Sequence, residues 1–284
     1  MAFTVDDHFY SEWQSAVQIL QQQMGERMRP AVRVESATGE VHFFNQLAAT
    51  TVQETATRHA DTPIIEMDHR VRSVRPRFFQ WSTIIDDEDK VRLLTDPTST
   101  YNENASAAFH RKSDLVILEA AIGTSMTGEG GTTSTAFPAG QIVSSGGGGT
   151  GLTKAKLIST AELLMANEVQ PPFYMAISAN ENADLLAVPE VASGDFNNDK
   201  PLVDGKVQSY MGFNFIHTEQ LAVVSTIRHV IAWGKNSLLL AIWKNLEMNI
   251  AKDPTKNYNY RPHIKYFIGA TRLDEVGVVR VDCA

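Results

Sequence analysis

Residues 98–123, TSTYNENASAAFHRKSDLVILEAAIG, decide how the rest of the chain is read. They follow Asp96-Pro97, carry a Thr100/Glu103 capping-box spacing and end on a glycine, the punctuation of one long helix. Tyr101, Ala105, Ala108, Leu115, Leu118 and Ile122 recur at helical spacing and predict the buried face. Arg111, Lys112 and Asp114 are assigned to the opposite side, with Arg111 and Asp114 placed for an i,i+3 pair. Such a helix is roughly 33 Å long at 1.5 Å per residue, enough to span a domain as its spine.

Working outward, the next residues, GTSMTGEGGTTSTAFPAGQIVSSGGGGTGLTK, are rich in Gly, Ser and Thr and are expected to run as loops and short turns. A phosphate loop needs Gly-Lys-Ser/Thr at the helix start; here the order is Gly151-Leu152-Thr153-Lys154, which places the lysine two residues late. The tract reads as a flexible connector. A second helix is predicted from Thr153 to Glu168, with Leu157, Ile158, Ala161, Leu164 and Met165 inside. Phe173 to Ser178 is a short strand, and Glu181 to Leu186 a turn of helix. Residues 192–206 are dense in turn formers; Asp195, Asn197 and Asp199 are spaced like a calcium loop, but Lys200 and Lys206 stand where glycine and glutamate are needed. Strands are expected at 211–217, 225–233 and 238–243, then a helical turn over Leu246–Lys252. Two long strands, 261–271 and 276–283, close the chain.

On the other side of the spine, residues 6–25 read as an amphipathic helix whose stripe carries Phe9, Trp13, Val17, Leu20 and Met24. It docks either on its own core or on a neighbouring subunit. Residues 29–94 alternate in the manner of extended segments, with too little contiguous apolar sequence to fill a core alone. Within them Arg70, Arg72, Arg75 and Arg77 precede the run Asp86, Asp87, Glu88 and Asp89. These charges form either a solvated face or a complementary pair of patches between identical subunits, which would fix register.

Composition narrows the function. A formal charge of -8 argues against a protein whose main task is gripping nucleic acid, and 43% hydrophobic residues supply an ordinary core. The single cysteine, Cys283, can form no internal disulfide, and no signal peptide or membrane span is evident, so a soluble cytoplasmic product is expected. The eight histidines are dispersed, and no metal-binding, nucleophile-elbow or dinucleotide motif occurs. No catalytic residue, cofactor or metal is assigned, and the chain is not expected to be an enzyme.

The order of parts carries a resemblance. The amphipathic arm, the extended charged region, the helix ending DLVILEAAIG, the tract GTSMTGEGGTTSTAFPAGQ, and then MGFNFIHTEQL, AWGKNSLLLAI and IGATRLDEVGVVRVDC together resemble the major capsid protein of tailed double-stranded DNA bacteriophages. The resemblance implies an α+β tailed-phage capsid fold. Residues 1–36 would be the N-terminal arm and 37–98 the extended β loop. Residues 99–175 and 255–284 would form the peripheral domain with its spine helix, and 176–254 the axial domain. It also implies a virion capsid built by self-assembly of hexamers and pentamers in the host cytoplasm, and an icosahedral shell enclosing double-stranded DNA. Portal, scaffolding and decoration proteins would be partners, DNA would be touched non-specifically, and no membrane would be involved. Because the arm begins almost at once, any scaffold would be separate or already removed. The alternatives are a cargo-enclosing cellular shell of the same fold, and a nucleotide or sugar enzyme using the glycine tract.

Overall fold

The computed structural model describes residues 21–54, 57–58, 61–62, 64–85, 98–144, 150–188 and 205–284. The amphipathic stripe up to Leu20, the acidic run and the turn-rich stretch up to 204 lie outside these residues. The long helix is present as α1, Thr98–Ile122. It begins two residues before Thr100, so the Thr100/Glu103 pair falls inside the helix and is not its cap. Gly123 donates its N–H to Glu119 O at 2.9 Å, and a Cβ there would sit 2.6 Å from that same oxygen. Only glycine closes the last turn in this way.

The buried face of α1 differs from the predicted one. Ala105, Ala107, Phe109, Ser113, Asp114, Val116, Ile117 and Ala121 are buried together with Leu118, whereas Tyr101 and Ala108 are exposed and Leu115 and Ile122 half-buried. The largest departure is Asp114, fully buried where the sequence placed it in solvent beside Arg111. Its carboxylate accepts hydrogen bonds from Arg27 N at 3.1 and 3.0 Å and from Met28 N at 3.0 Å. A buried carboxylate is tolerated when backbone N–H groups replace its lost hydration. Arg111 instead donates to Gln22 Oε1 at 2.7 Å and Gln23 O at 3.1 Å. Residues 21–26 are irregular, so the predicted N-terminal helix does not extend to Met24.

The chain divides into two units. The smaller comprises Met1–Glu26, Phe78–Lys112 and Lys244–Phe267. Here strand β4, Arg77–Ser82, runs beside β14, Asn259–Arg272, extended by Thr83 N donating to Pro262 O and by an antiparallel bridge between Ile85 and Tyr260. Phe109 meets Tyr266 edge to face at 6.2 Å, and Tyr266 donates to Glu26 Oε1 at 3.2 Å. The predicted helical turn over Leu246–Lys252 is strand. β13 runs unbroken across Leu238–Asp253, because its backbone N–H and C=O groups can share ladder bonds with the neighbouring β14.

The larger unit, Arg27–Arg77, Ser113–Trp243 and Ile268–Ala284, holds most of the core. Strand β1, Arg33–Ser36, pairs in parallel with the start of β13. β2, His42–Leu47, and β3, His69–Val74, are antiparallel, with Phe44 opposite Arg72. The Gly/Ser/Thr tract is more ordered than expected: β5, Ser125–Thr127, and β6, Thr133–Thr135, form a hairpin that adds to β3. Gly131 allows this, since it has φ +62° and its Cβ position lies 2.6 Å from Ser73 Oγ. Ala37, Phe44, Val74, Leu239, Ala241 and Leu273 cluster beneath.

A seven-stranded mixed sheet forms the rest of this unit. Its path is β7 (Ile142–Val143), β15 (Val278–Cys283), β12 (Ile227–Gly234), β8 (Phe173–Ile177), β10 (Phe213–His217) and β9 (Ser209–Tyr210), with β11 (Val223–Val224) on β12. The last two long strands, β14 and β15, thus enter different sheets. Helix α2, Lys154–Ala166, is capped by Thr153 and packs on β15 and β12 through Leu157, Ala161 and Leu164; Ile158 and Met165 are exposed, not inside. Helix α3, Ala179–Leu186, starts with a Ser178/Glu181 capping box.

Candidate functional site

The four arginines singled out from the sequence do not form one exposed patch. Arg70 is exposed and pairs with Asp68 at 3.1 Å. Arg72 is buried, correcting the reading of this cluster as surface charge: its Nε donates to Leu273 O at 3.0 Å, and its Nη2 pairs with Glu275. Strand alternation turns Arg72 to the same face as Phe44, the face covered by residues 273–275. Arg75 is exposed, and Arg77, also exposed, binds Glu119 Oε2 on α1 at 2.6 Å. Arg75 and Arg77 flank a cleft of about 320 Å³ whose floor includes Val74, Val116, Met126 and Ala270. Gly269 also lines it, and a Cβ there would lie 2.7 Å from Arg75 O, so only glycine allows the two backbones to approach this closely. Phe9, Trp13, Asp86, Asp87, Glu88 and Asp89 lie outside the described residues.

Two further features were invisible to local sequence reasoning. Between β2 and β3 the chain leaves large apolar side chains uncovered, with Val52 93%, Ile64 94% and Met67 59% exposed. Burying a side chain of this size contributes roughly 1.5 to 3 kcal/mol, a gain that the single chain leaves unrealised here. At the end of the glycine tract, Lys156 is the lysine that binds the tract's own backbone. It is buried, and its ammonium donates to Thr150 O at 2.6 Å, Gly151 O at 3.0 Å and Asp282 O at 2.8 Å. Its three donors are thereby filled by backbone carbonyls, tying the tract to β15 rather than presenting a cation to a phosphate.

The buried polar groups serve structure. Arg272 is fully buried, with its guanidinium pushed below its ordinary value by burial, and donates to Ala121 O at 3.0 Å and Gly123 O at 2.9 Å, the end of α1. Trp233 Nε1 donates to Ala31 O at 2.9 Å. Burial pushes the Cys283 thiol up to about 12. Among the described residues no group of three or more His, Cys, Asp or Glu side chains is arranged to hold a metal ion, and no helix is long and apolar enough to cross a membrane. What the described residues offer is a set of internally bonded polar groups together with exposed apolar and charged side chains.

That architecture is shared with viral shells. The cyanophage P-SCSP1u capsid protein, 16% identical, superimposes with a TM-score of 0.75 over 100% of this chain and 95% of that one. A chain from Mycobacterium phage Che8, 15% identical, gives 0.72 over 97% and 98%. The acid-stable capsid of Helicobacter pylori bacteriophage KHP30, 9% identical, gives 0.70 over 100% and 98%. No curated protein sequence matches the chain significantly. The family described as phage capsid protein matches residues 5–284, and the chain belongs to that family. It is a structural, shell-forming major capsid protein with the α+β tailed-phage capsid fold, a component of the virion. Neither the cargo-enclosing shell nor the sugar or nucleotide enzyme is favoured by these likenesses.

Proposed function

We propose that copies of this chain close an icosahedral shell around a double-stranded DNA genome, assembling as hexamers and pentamers in the host cytoplasm. In this reading residues 1–36 act as an arm, 37–98 as an extended loop, 99–175 with 255–284 as a peripheral domain and 176–254 as an axial domain. The role is structural, without turnover or cofactor. DNA would be met non-specifically, in keeping with a formal charge of -8. Portal, scaffolding and decoration proteins would be separate chains.

One observation carries the reading of the extended loop: Val52, Ile64 and Met67 stand in water in the single chain. The surface of a neighbouring copy is the partner that every assembled subunit has in reach. Phe9, Trp13, Arg70, Arg75, Arg77 and Asp86, Asp87, Glu88 and Asp89 are assigned to the same boundary, with Arg72 acting beneath it. Electron microscopy of the purified protein tests the proposal. Closed shells of uniform size are expected; monodisperse monomers under all assembly conditions would overturn it.

A further inference from the structure

Arg72 and Arg272 are both buried, and both turn toward one carboxylate. Arg72 Nη2 pairs with Glu275 Oε2, while Arg272 Nη2 lies 3.9 Å from Glu275 Oε1. Each guanidinium also grips a different part of the larger unit. Through Nε, Arg72 holds Leu273 O at 3.0 Å, and Gln46 Nε2 reaches the same oxygen at 2.9 Å, so β2 and β3 are both fastened to the connection that follows β14. Arg272 holds Ala121 O and Gly123 O at the end of α1, as well as Ala136 O at 3.4 Å beyond β6, with its guanidinium 5.1 Å from the Phe137 ring centre. Guanidinium is the cation suited to such burial, being weakly hydrated and able to fork its donors among carbonyls.

Two buried cations facing each other repel, and among the described residues Glu275 is the carboxylate that pairs with either of them. The electrostatics agree with this geometry. Burial is the main influence lowering Arg272, Glu275 pulls it back up, and Arg72 lowers it further. We propose that Arg72, Glu275 and Arg272 form a carboxylate-bridged joint that fixes the base of the extended β2–β3 pair to the end of α1, with Glu275 as the positioning residue. The joint would set the direction in which the extended segment leaves the subunit. That consequence rests on the shell-forming reading, whereas the joint itself is a property of one chain.

Hydrogen exchange on the unassembled full chain tests the joint, and electron microscopy tests its consequence. Glu275→Gln is expected to speed exchange tenfold or more at β2, β3 and the last turn of α1, leave β8, β12 and β15 protected, and abolish shells. Adding Arg72→Met to it is expected to recover part of the protection at the last turn of α1, because one of the two opposed cations is gone, while β2 and β3, which also lose the bond from Arg72 to Leu273 O, exchange no slower. A uniform rise across all sheets, no change, or no recovery in the double variant would overturn the joint. Should Glu275→Gln fail to fold, Arg72→Met alone is the decisive chain. Faster exchange confined to β2 and β3, with the end of α1 still protected by Arg272, supports the joint; unchanged β2 and β3 overturn it. Wild-type protein that forms no shells refutes the assembly reading while leaving the exchange result standing.

Discussion

Cys283 illustrates how far a residue's chemistry follows from its position. It sits on β15 opposite Arg228, almost fully buried, and burial is the main cause that moves its thiol up to about 12. A thiolate, not a thiol, attacks disulfide reagents, so native protein at neutral pH should label with a thiol reagent at a rate set by unfolding. The raised value also has a sign. In the unfolded chain the group ionises near 9, and in the folded chain near 12, so its contribution to stability is complete below about 9 and is lost as pH rises through 12. Urea titrations between pH 8 and 11 should show stability falling in wild type and falling less in Cys283→Ala. Equal slopes would remove Cys283 from the account.

At the scale of elements, α1 was legible in the sequence because length, proline and glycine punctuation all agree on it, and α2 and α3 carry recognisable caps. Its burial pattern was not. Periodicity placed Ala105 and Leu118 on the buried face, where they are, but also credited Tyr101 and Ala108, while Ala107, Ser113 and Asp114 take buried places that close packing reserves for small or fully bonded groups. The partner of Asp114 lies 87 residues away at Arg27 and could not be seen locally. For the same reason β13 was cut short at Trp243, since its later residues, exposed and mixed in character, are held by ladder bonds to β14. The Asp114 bonds make a sharp prediction. Asp114→Ala leaves the buried N–H of Met28 and the part-buried N–H of Arg27 without their acceptor, and should lower unfolding stability by about 3 kcal/mol. The amides of residues 27 and 28 should lose protection first; if they exchange no faster than in wild type, the carboxylate is not what holds that segment.

For the whole molecule, the proposed assembly would bring exposed charge to the places where subunits meet. The sequence suggested one arginine patch opposite one acidic run, but Arg72 belongs to the interior and would report on folding if reversed. Arg75 and Arg77 remain exposed beside the cleft floored by Val74, Val116 and Met126, and are the appropriate probes. Each exposed ion pair contributes only about 0 to 1 kcal/mol, and Arg77 already holds one with Glu119, so reversing the pair should cost the isolated subunit little. A closed shell repeats every such contact in all its copies, and added salt screens them within about 10 Å at 0.1 M. Arg75→Glu with Arg77→Glu should therefore give subunits that melt within a few degrees of wild type and assemble poorly. Wild-type assembly should weaken as salt is raised. Light scattering during assembly, read at several salt concentrations, decides the matter: a double variant that tracks wild type at every concentration would show that these arginines only face solvent.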